Sequence, residues 1–322
     1  MDEAMILVVT PNPCLDRTLF VEENRVGGKI MVRRVQEIAG GKGSNVCRVL
    51  KELGYPAMHL LYLGGYVGER VLTLLEGEGI QSIAVWTRAS TRVVVTVVDQ
   101  RWQQTVYFDP PPEITREEEE VFLARFDELQ RKAEMVLLCG SVPPTLLQFY
   151  ERVLERTQKK VIIDGRGRVL RALKRYPSGL KMNREEAELT WGEKLRGIGD
   201  WERFFNFFFE RGVEVVILTL GSEGALLGTQ EGFYRAMTPR IDVVNPVGSG
   251  DAFLGALVYG FCRSLPWGES LQWAVAAGAC NAMVWEAGRV KRSCVEALHR
   301  EVVVEKVRNF GELRLGLGRD GV

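Results

Sequence analysis

The sequence predicts an α/β fold, in which a mostly parallel β-sheet carries helices on both faces. Two observations carry that prediction. Short apolar runs without polar alternation recur at Ile6–Val9, His59–Leu63, Met135–Cys139, Val161–Asp164, Gly179–Met182 and Val213–Leu220. Between them lie stretches of helical periodicity, at Asn45–Leu53, Glu117–Lys132, Pro144–Thr157, Arg184–Trp191 and Trp201–Arg211. Strands that are apolar on both faces need cover on both faces, and the alternating helices supply it.

The first strand, Ile6–Val9, opens the sheet, and the helix Asn45–Leu53 is closed by Gly54. Thr115-Arg116-Glu117-Glu118 reads as a capping box starting the helix that follows it. Two regions break the rhythm. Residues 14–37 and 90–109 alternate like half-buried strands, as in Arg92-Val93-Val94-Val95-Thr96-Val97-Val98, with turns expected at Gly27-Gly28 and Asp99-Gln100. They predict a small β-sheet lid over one edge of the main domain, or else an extension of the central sheet. The main domain is expected to span 1–315, with a disordered tail at 316–322. No internal repeat stands out.

At 322 residues the chain is long enough to bury a large core. Its 42 basic and 42 acidic residues balance, with no long run of either sign. That argues against a nucleic-acid partner or an anionic membrane surface, and leaves small anionic ligands to a few placed cations. No apolar stretch reaches the length of a bilayer span, and the N-terminus does not read as a signal peptide. The six cysteines are scattered without a CxxC pair, so reduced, packed thiols and a cytoplasmic location are expected. With only His59 and His299 present, a Ser-His-Asp triad or a multi-histidine zinc site is disfavoured. The chemistry falls to Asp, Glu, Lys, Arg and backbone amides.

The strongest chemical signal is Asn245-Pro246-Val247-Gly248-Ser249-Gly250-Asp251, followed by the apolar Ala252–Leu257. Gly248 and Gly250 can turn consecutive amides inward around Ser249, and the helix start adds partial positive charge. That arrangement suits a phosphoryl group, with Asp251 beside it to accept a proton from an attacking hydroxyl. The plain alternative is an Asp N-cap after a glycine turn. Two other glycine readings fail on spacing. Gly40-Gly41-Lys42-Gly43-Ser44 is no P-loop, because position 36 is Gln36 and the lysine is followed by Gly43. Residues 10–15 contain no glycine for a dinucleotide fingerprint.

Asn245–Asp251 with its helix resembles the C-terminal signature of the ribokinase-like, PfkB-type carbohydrate kinases, and Gly40–Val46 resembles their N-terminal one. The likeness continues, in the family's order, through Thr10–Asp16, Cys139–Pro144, Lys181–Glu186 and Thr219–Gly224, covering roughly residues 6–290. It is greatest to the phosphohexose kinase branch, which includes 1-phosphofructokinases and tagatose-6-phosphate kinases. The form Asn-Pro-Val-Gly-Ser-Gly-Asp leans towards the latter.

The resemblance implies a ribokinase-like fold, ATP and Mg²⁺ as cofactors, and a hexose monophosphate (tagatose 6-phosphate or fructose 1-phosphate) as the small-molecule partner. Asp251 would be the base and Gly248, Ser249 and Gly250 the anion turn. Asp16, Gly40, Gly41 and Asn45 would hold the sugar, and Lys29, Lys42 and Arg92 its phosphate. Asn183 and Glu186 would organise Mg²⁺ through water. Asn183, Gly221, Ser222, Gly224 and Asn281 would line the nucleotide. The branch commonly has Thr-Arg-x-Asn where this chain has Thr91-Arg92-Val93-Val94, which leaves the position of the sugar's phosphate open. Lids of this kind often pair, implying a homodimer. The alternatives are a kinase for a neutral sugar or nucleoside, against which Lys42 and Arg92 weigh, and a binding regulator without catalysis, against which Asp251 weighs.

Overall fold

The computed structural model describes residues 4–307, so the tail expected at 316–322 lies outside the described residues. Strand β1 (Met5–Thr10) is followed by β2 (Cys14–Val21), β3 (Val32–Gly40), helix α1 (Lys42–Glu52), β4 (Ala57–Leu63), α2 (Gly65–Gly77) and β5 (Ser82–Trp86). Next come β6 (Arg92–Val98), β7 (Gln104–Phe108), α3 (Arg116–Leu129), β8 (Ala133–Cys139), α4 (Phe149–Arg156) and β9 (Lys160–Asp164). The chain continues through β10 (Gly179–Asn183), α5 (Arg184–Trp191), α6 (Ile198–Phe209), β11 (Val215–Thr219), β12 (Ala225–Thr229) and β13 (Gly232–Ala236). The last described elements are α7 (Ser249–Cys262), α8 (Trp267–Ala282), α9 (Arg292–His299) and β14 (Val304–Val307).

Among the described residues, ten strands form one sheet in the order β14-β13-β12-β11-β10-β9-β8-β1-β4-β5. Strands β5 to β11 in that order run parallel, and β12 to β14 add an antiparallel edge. Alternate residues of one strand feed two separate cores. Ile6 and Val8 pack with Val46, Leu257 and Ala274 from α1, α7 and α8, whereas Leu7 and Val9 pack with Phe122, Phe149 and Phe204 from α3, α4 and α6. Each of those buried phenylalanines contributes roughly 1.5–3 kcal/mol by leaving water. Because β1 pairs with β4 on one side and β8 on the other, the chain order reverses there. A crevice at the carboxyl ends of parallel strands opens at such a reversal.

Strands β3, β2, β6 and β7, in that order, form a separate mixed sheet. Its β2–β6 pair is parallel and its outer pairs are antiparallel. At one turn, Asp99 Oδ1 accepts hydrogen bonds from the amides of Arg101 and Gln103, at 2.9 Å each. Phe20 and Trp102 lie 5.6 and 5.3 Å from the ring of Trp285, joining this sheet to the segment after α8.

Several elements differ from the sequence expectation. Helix α1 begins at Lys42, three residues before Asn45, because Gly41 adopts φ 104° and acts as its N-cap. Helix α4 begins at Phe149, not at Pro144. Before it the chain turns tightly, with Leu146 bonded back to the Pro143 carbonyl and Phe149 to that of Leu146. The expectation of six reduced thiols is corrected for two of them, since Cys280 in α8 and Cys294 in α9 form a disulfide. Among the described residues no helix is long and apolar enough to cross a membrane.

Candidate active site

The Asn245–Asp251 segment folds into a braced turn. Asn245 Oδ1 accepts from the Val247 amide (3.2 Å), and its Nδ2 donates to the Trp285 carbonyl (2.8 Å). Gly248 has φ 82°, and a Cβ there would sit 2.7 Å from that of Ala287, so both conformation and space require glycine. A Cβ on Gly250 would meet Lys181 Nζ at 2.8 Å. The amides of Ser249 and Asp251 close turns onto the carbonyls of Pro246 and Gly248. Helix α7 therefore starts at Ser249 with Gly248 as its cap, and Asp251 lies in the first turn with its carboxylate free for another task.

That carboxylate is buried in a charged cluster. Asp251 Oδ2 accepts a 2.7 Å bond from Asn45 Nδ2. Lys42 Nζ donates to Asp164 Oδ1 at 2.8 Å and to Glu186 Oε1 at 3.0 Å, and Lys181 Nζ donates to Asp164 Oδ2 at 3.2 Å. Burial pushes the Asp251 pKa up; Lys42 and Lys181 pull it down, Asp164 pushes it further up, and the balance is about 6. Burial also pushes Asp164 up, but the two lysines overcome that and hold it below the usual carboxylate value. For Lys42 burial opposes the charge, yet Asp164, Asp251 and Glu186 outweigh it and hold the pKa above that of an ordinary lysine. The cluster stays charged because opposite signs alternate within it.

Next to the cluster opens a cavity of about 450 Å³, between the ends of β1, β8 and β9 and the inward face of the small sheet. Its size suits a small-molecule ligand. Asp16, Lys42, Asn45, Arg92 and Glu186 all line it. Asp16 pairs across β2–β3 with Ile38, beside the Cys14–Gly40 pair. Gly40 is required there, because a Cβ would overlap the Asp16 carboxylate and come within 2.7 Å of Cys14 Sγ. Burial raises the Asp16 pKa, while the Cys14 thiol, Arg48 and Arg92 oppose the shift. Arg92 donates through Nη2 to the Asn12 carbonyl at 3.3 Å, and its buried Nε has no partner among the described residues.

On the other side of the cluster, Asn183 and Glu186 form a reciprocal capping box at the start of α5. Asn183 Oδ1 accepts from the Glu186 amide (2.8 Å), and Glu186 Oε2 from the Asn183 amide (3.0 Å). Asn183 lies opposite Thr219 in the β10–β11 pairing, so the following turn, Gly221–Gly224, lies at the same edge of the sheet. Gly221 and Ser222 are exposed there, and Gly224 is tight against the Ala236 carbonyl.

A family model described as pfkB family carbohydrate kinase matches residues 9–288. This chain belongs to the pfkB family of carbohydrate kinases. It is 30% identical over 308 residues to a 1-phosphofructokinase of Bacillus subtilis strain 168, covering 94% of this chain and 100% of that one. Among solved structures, a Staphylococcus aureus candidate phosphofructokinase superposes with a TM-score of 0.81 at 28% identity, covering 94% of this chain and 99% of that one. The Escherichia coli phosphofructokinase-2 in complex with potassium gives 0.87 at 21% identity, over 93% and 99% of the two chains, which bears on the fold alone. The chain is accordingly an ATP-dependent phosphotransferase with an alcohol acceptor.

Within this kinase three of the expected site side chains have partners or positions of their own. Lys42, expected at the sugar's phosphate, is bound between Asp164 and Glu186 beside Asp251. Asn281, expected at the nucleotide, is fully buried. Its Nδ2 donates to the Val247 carbonyl (2.9 Å) and Ser249 Oγ (3.2 Å), and its Oδ1 accepts from the Gly288 amide (2.7 Å), so it braces the glycine turn before α7 from behind. Lys29 is exposed in the β2–β3 connection and does not line the cavity. Two residues of the cluster were missed, Asp164 and Lys181. The only signal for them was a charge set within an otherwise apolar strand.

Proposed function

We propose that this kinase transfers the γ-phosphoryl group of ATP to a hydroxyl of a hexose monophosphate, giving the bisphosphate. Fructose 1-phosphate is the first substrate to try, because the relative at 30% identity is a 1-phosphofructokinase, and tagatose 6-phosphate the second. The observation that carries the reading is the buried Asp251 carboxylate, held on one oxygen by Asn45 and flanked by Lys42 and Lys181, beside a cavity lined by Asp16 and Arg92.

In this reading Asp16 accepts hydrogen bonds from sugar hydroxyls, and Arg92 meets the phosphate already on the sugar as a charge-assisted partner. Asn45 occupies Asp251 Oδ2, which leaves Oδ1 to take the proton of the attacking hydroxyl as the new P–O bond forms. Phosphoryl transfer passes through a loose transition state, so positioned charge does most of the catalysis. Lys181, against Gly250, and Lys42, beside Asp251, supply that charge at the anion turn. ADP is the leaving group.

Both Glu186 oxygens and the Asn183 carbonyl oxygen are already hydrogen-bonded. They therefore fit a cation that keeps its own water shell, as Mg²⁺ does. Bound with the nucleotide, Mg²⁺ would neutralise phosphate charge, with Asn183 and Glu186 holding its waters. Gly221, Ser222 and Gly224 would border the nucleotide. The small sheet would act as a lid that excludes water from the sugar. Val35 and Tyr107 are exposed on its face away from the cavity, which supports pairing of two lids in a homodimer. A cytoplasmic location suits the ATP requirement.

The test is a panel of fructose 1-phosphate, tagatose 6-phosphate, fructose 6-phosphate, free fructose and a nucleoside, assayed with ATP and Mg²⁺. Bisphosphate formation from one of the sugar phosphates, at a kcat/KM at least ~10-fold above that for free fructose, is expected, given the charge-assisted contact of Arg92 to the phosphate. Turnover of only the neutral sugar or the nucleoside would overturn the proposal, and no turnover at all would favour a binding role.

A further inference from the structure

We propose that Arg48 and Glu78 form a positioning pair that fixes the orientation of the Asn45 amide and, through it, the carboxylate of Asp251. The inference rests on the reading of Asp251 as the base.

Arg48 lies one turn beyond Asn45 on α1, so the two side chains share a helix face. It is only 5% exposed, a rare setting for an arginine, and every arm of its guanidinium is engaged. Nη1 donates to Asn45 Oδ1 at 2.8 Å and Nη2 to the Ala39 carbonyl at 2.7 Å. Nε and Nη2 reach the two carboxylate oxygens of Glu78 at 2.5 and 3.2 Å. Glu78, just past the end of α2, also receives Arg289 Nη2 at 3.1 Å. A run of contacts thus leads from the molecule's surface at Arg289, through Glu78, Arg48 and Asn45, to Asp251.

The chemistry of the run gives it a direction. A carboxamide can turn over and exchange its oxygen and nitrogen at little steric cost. Arg48 can only donate and ionised Asp251 can only accept, so between them only one orientation of Asn45 makes both bonds. Without Arg48, Asn45 Oδ1 loses its donor and only the bond to Asp251 holds the amide, so that bond is less firmly fixed. Gly288 presses on the Asn45 backbone, where a Cβ would meet the Asn45 Cα at 2.7 Å, so the amide has little room to move except by turning over. The same guanidinium holds the Ala39 carbonyl, next to the Gly40 that makes space for Asp16. One buried cation therefore sets both the base and the edge of the sugar pocket.

The other groups facing Asp251 are Lys42 on α1, Asp164 at the end of β9, Lys181 on β10 and the Cys139 thiol on β8. All of them remain in an Arg48 variant. Arg48 also lowers the pKa of Asp16, so a shift of the acid limb on altering Arg48 is assigned to the Asn45 contact only where the Asn45→Ala background abolishes it.

The experiment is the pH dependence of kcat/KM for the sugar phosphate, at saturating ATP, in Arg48→Met, Arg48→Lys and Glu78→Gln. For Arg48→Met the acid limb should move up by about one pH unit, the effect of losing one hydrogen bond to a carboxylate. The deficit should shrink several-fold between pH 5.5 and 8.5, and the Kd for ATP should stay at the wild-type value by calorimetry. Arg48→Lys keeps the charge without the fork and should show a smaller shift, as should Glu78→Gln. In an Asn45→Ala background, Arg48→Met should add no further shift. An unmoved acid limb in folded Arg48→Met, or an equal shift in the Asn45→Ala background, would overturn the proposal. If Arg48→Met does not fold, Glu78→Gln decides, and its wild-type limb would refute the pairing. The parallel Asp251→Asn arm separates the two claims. Retained turnover there refutes the base itself, whereas lost turnover with unmoved limbs in the Arg48 and Glu78 variants refutes only the positioning pair.

Discussion

Replacing Gly40 by alanine adds one methyl group where the structure has none to spare. The new Cβ would overlap the Asp16 carboxylate and come within 2.7 Å of Cys14 Sγ. The Cys14 thiol can turn aside while the Cys14–Gly40 pairing of β2–β3 holds, but the Asp16 carboxylate is nearer still to the new Cβ, so the Asp16 side chain must swing away. Asp16 is the only carboxylate that the small sheet presents to the cavity among the described residues. Losing its hydrogen bond to a sugar hydroxyl should cost about 1.5–3 kcal/mol, or roughly 10- to 150-fold in kcat/KM for the sugar. The loss should appear mainly in the sugar KM, with the KM for ATP unchanged. Asp16→Ala should give a similar loss, and the double variant should be no worse than either single one, since both remove the same contact. Steady-state kinetics on folded variants, with both substrates varied, makes the check. A sugar KM within about twofold of wild type in Gly40→Ala would refute the placement of Asp16 as a sugar ligand.

Other outcomes follow from the charged cluster and the cavity. The Asp251 pKa of about 6 is raised from the ordinary aspartate value, and the proposed base would work deprotonated. Activity should therefore be lost on the acid side, half-maximal near the same pH and falling about tenfold per unit below it. A flat profile from pH 5 to 8 would contradict that. Lys181→Met removes a cation that pulls Asp251 down, so the acid limb should move to higher pH, and a shift to lower pH would reverse the assigned sign. Arg92→Ala should raise the sugar-phosphate KM by about tenfold or more while leaving ATP affinity alone, and Arg92→Lys should recover part of it. An unchanged KM would place Arg92 outside the phosphate contact.

The parallel sheet was legible because a strand covered on both faces has no polar side to disguise it, as in Ile6–Val9 and Met135–Cys139. The glycine turn before α7 was equally legible, since Gly248, Gly250 and Asp251 are adjacent in sequence and the turn needs them in that spacing. The start of α1 was not, because its cap is Gly41 at φ 104° instead of a Ser, Thr, Asp or Asn. Asp164 and Lys181 were missed because their meaning lies in a contact across neighbouring strands, 17 residues apart. Read singly, each is a stray charge in an apolar run. Lys42 was seen, but its partners Asp164 and Glu186 are 122 and 144 residues away, and without them it reads as an available cation. Asn281 shows the same limit from the other side. A polar residue on an apolar helix can face a ligand or brace a turn, and only the position of Val247, Ser249 and Gly288 decides that it braces. Cys280 and Cys294, on successive helices, carry no spacing that marks them as partners.

The central claim is that Asp251 accepts the proton of a sugar-phosphate hydroxyl. It is tested most directly by measuring ADP and sugar bisphosphate together in single-turnover reactions of wild type and Asp251→Asn, with fructose 1-phosphate and tagatose 6-phosphate. Asparagine keeps the shape and can still meet the Asn45 amide, so ATP and sugar binding should survive. The rate of bisphosphate formation should fall by at least ~100-fold, the usual range for a general base. Bisphosphate formed at near the wild-type rate by the folded variant would contradict the account.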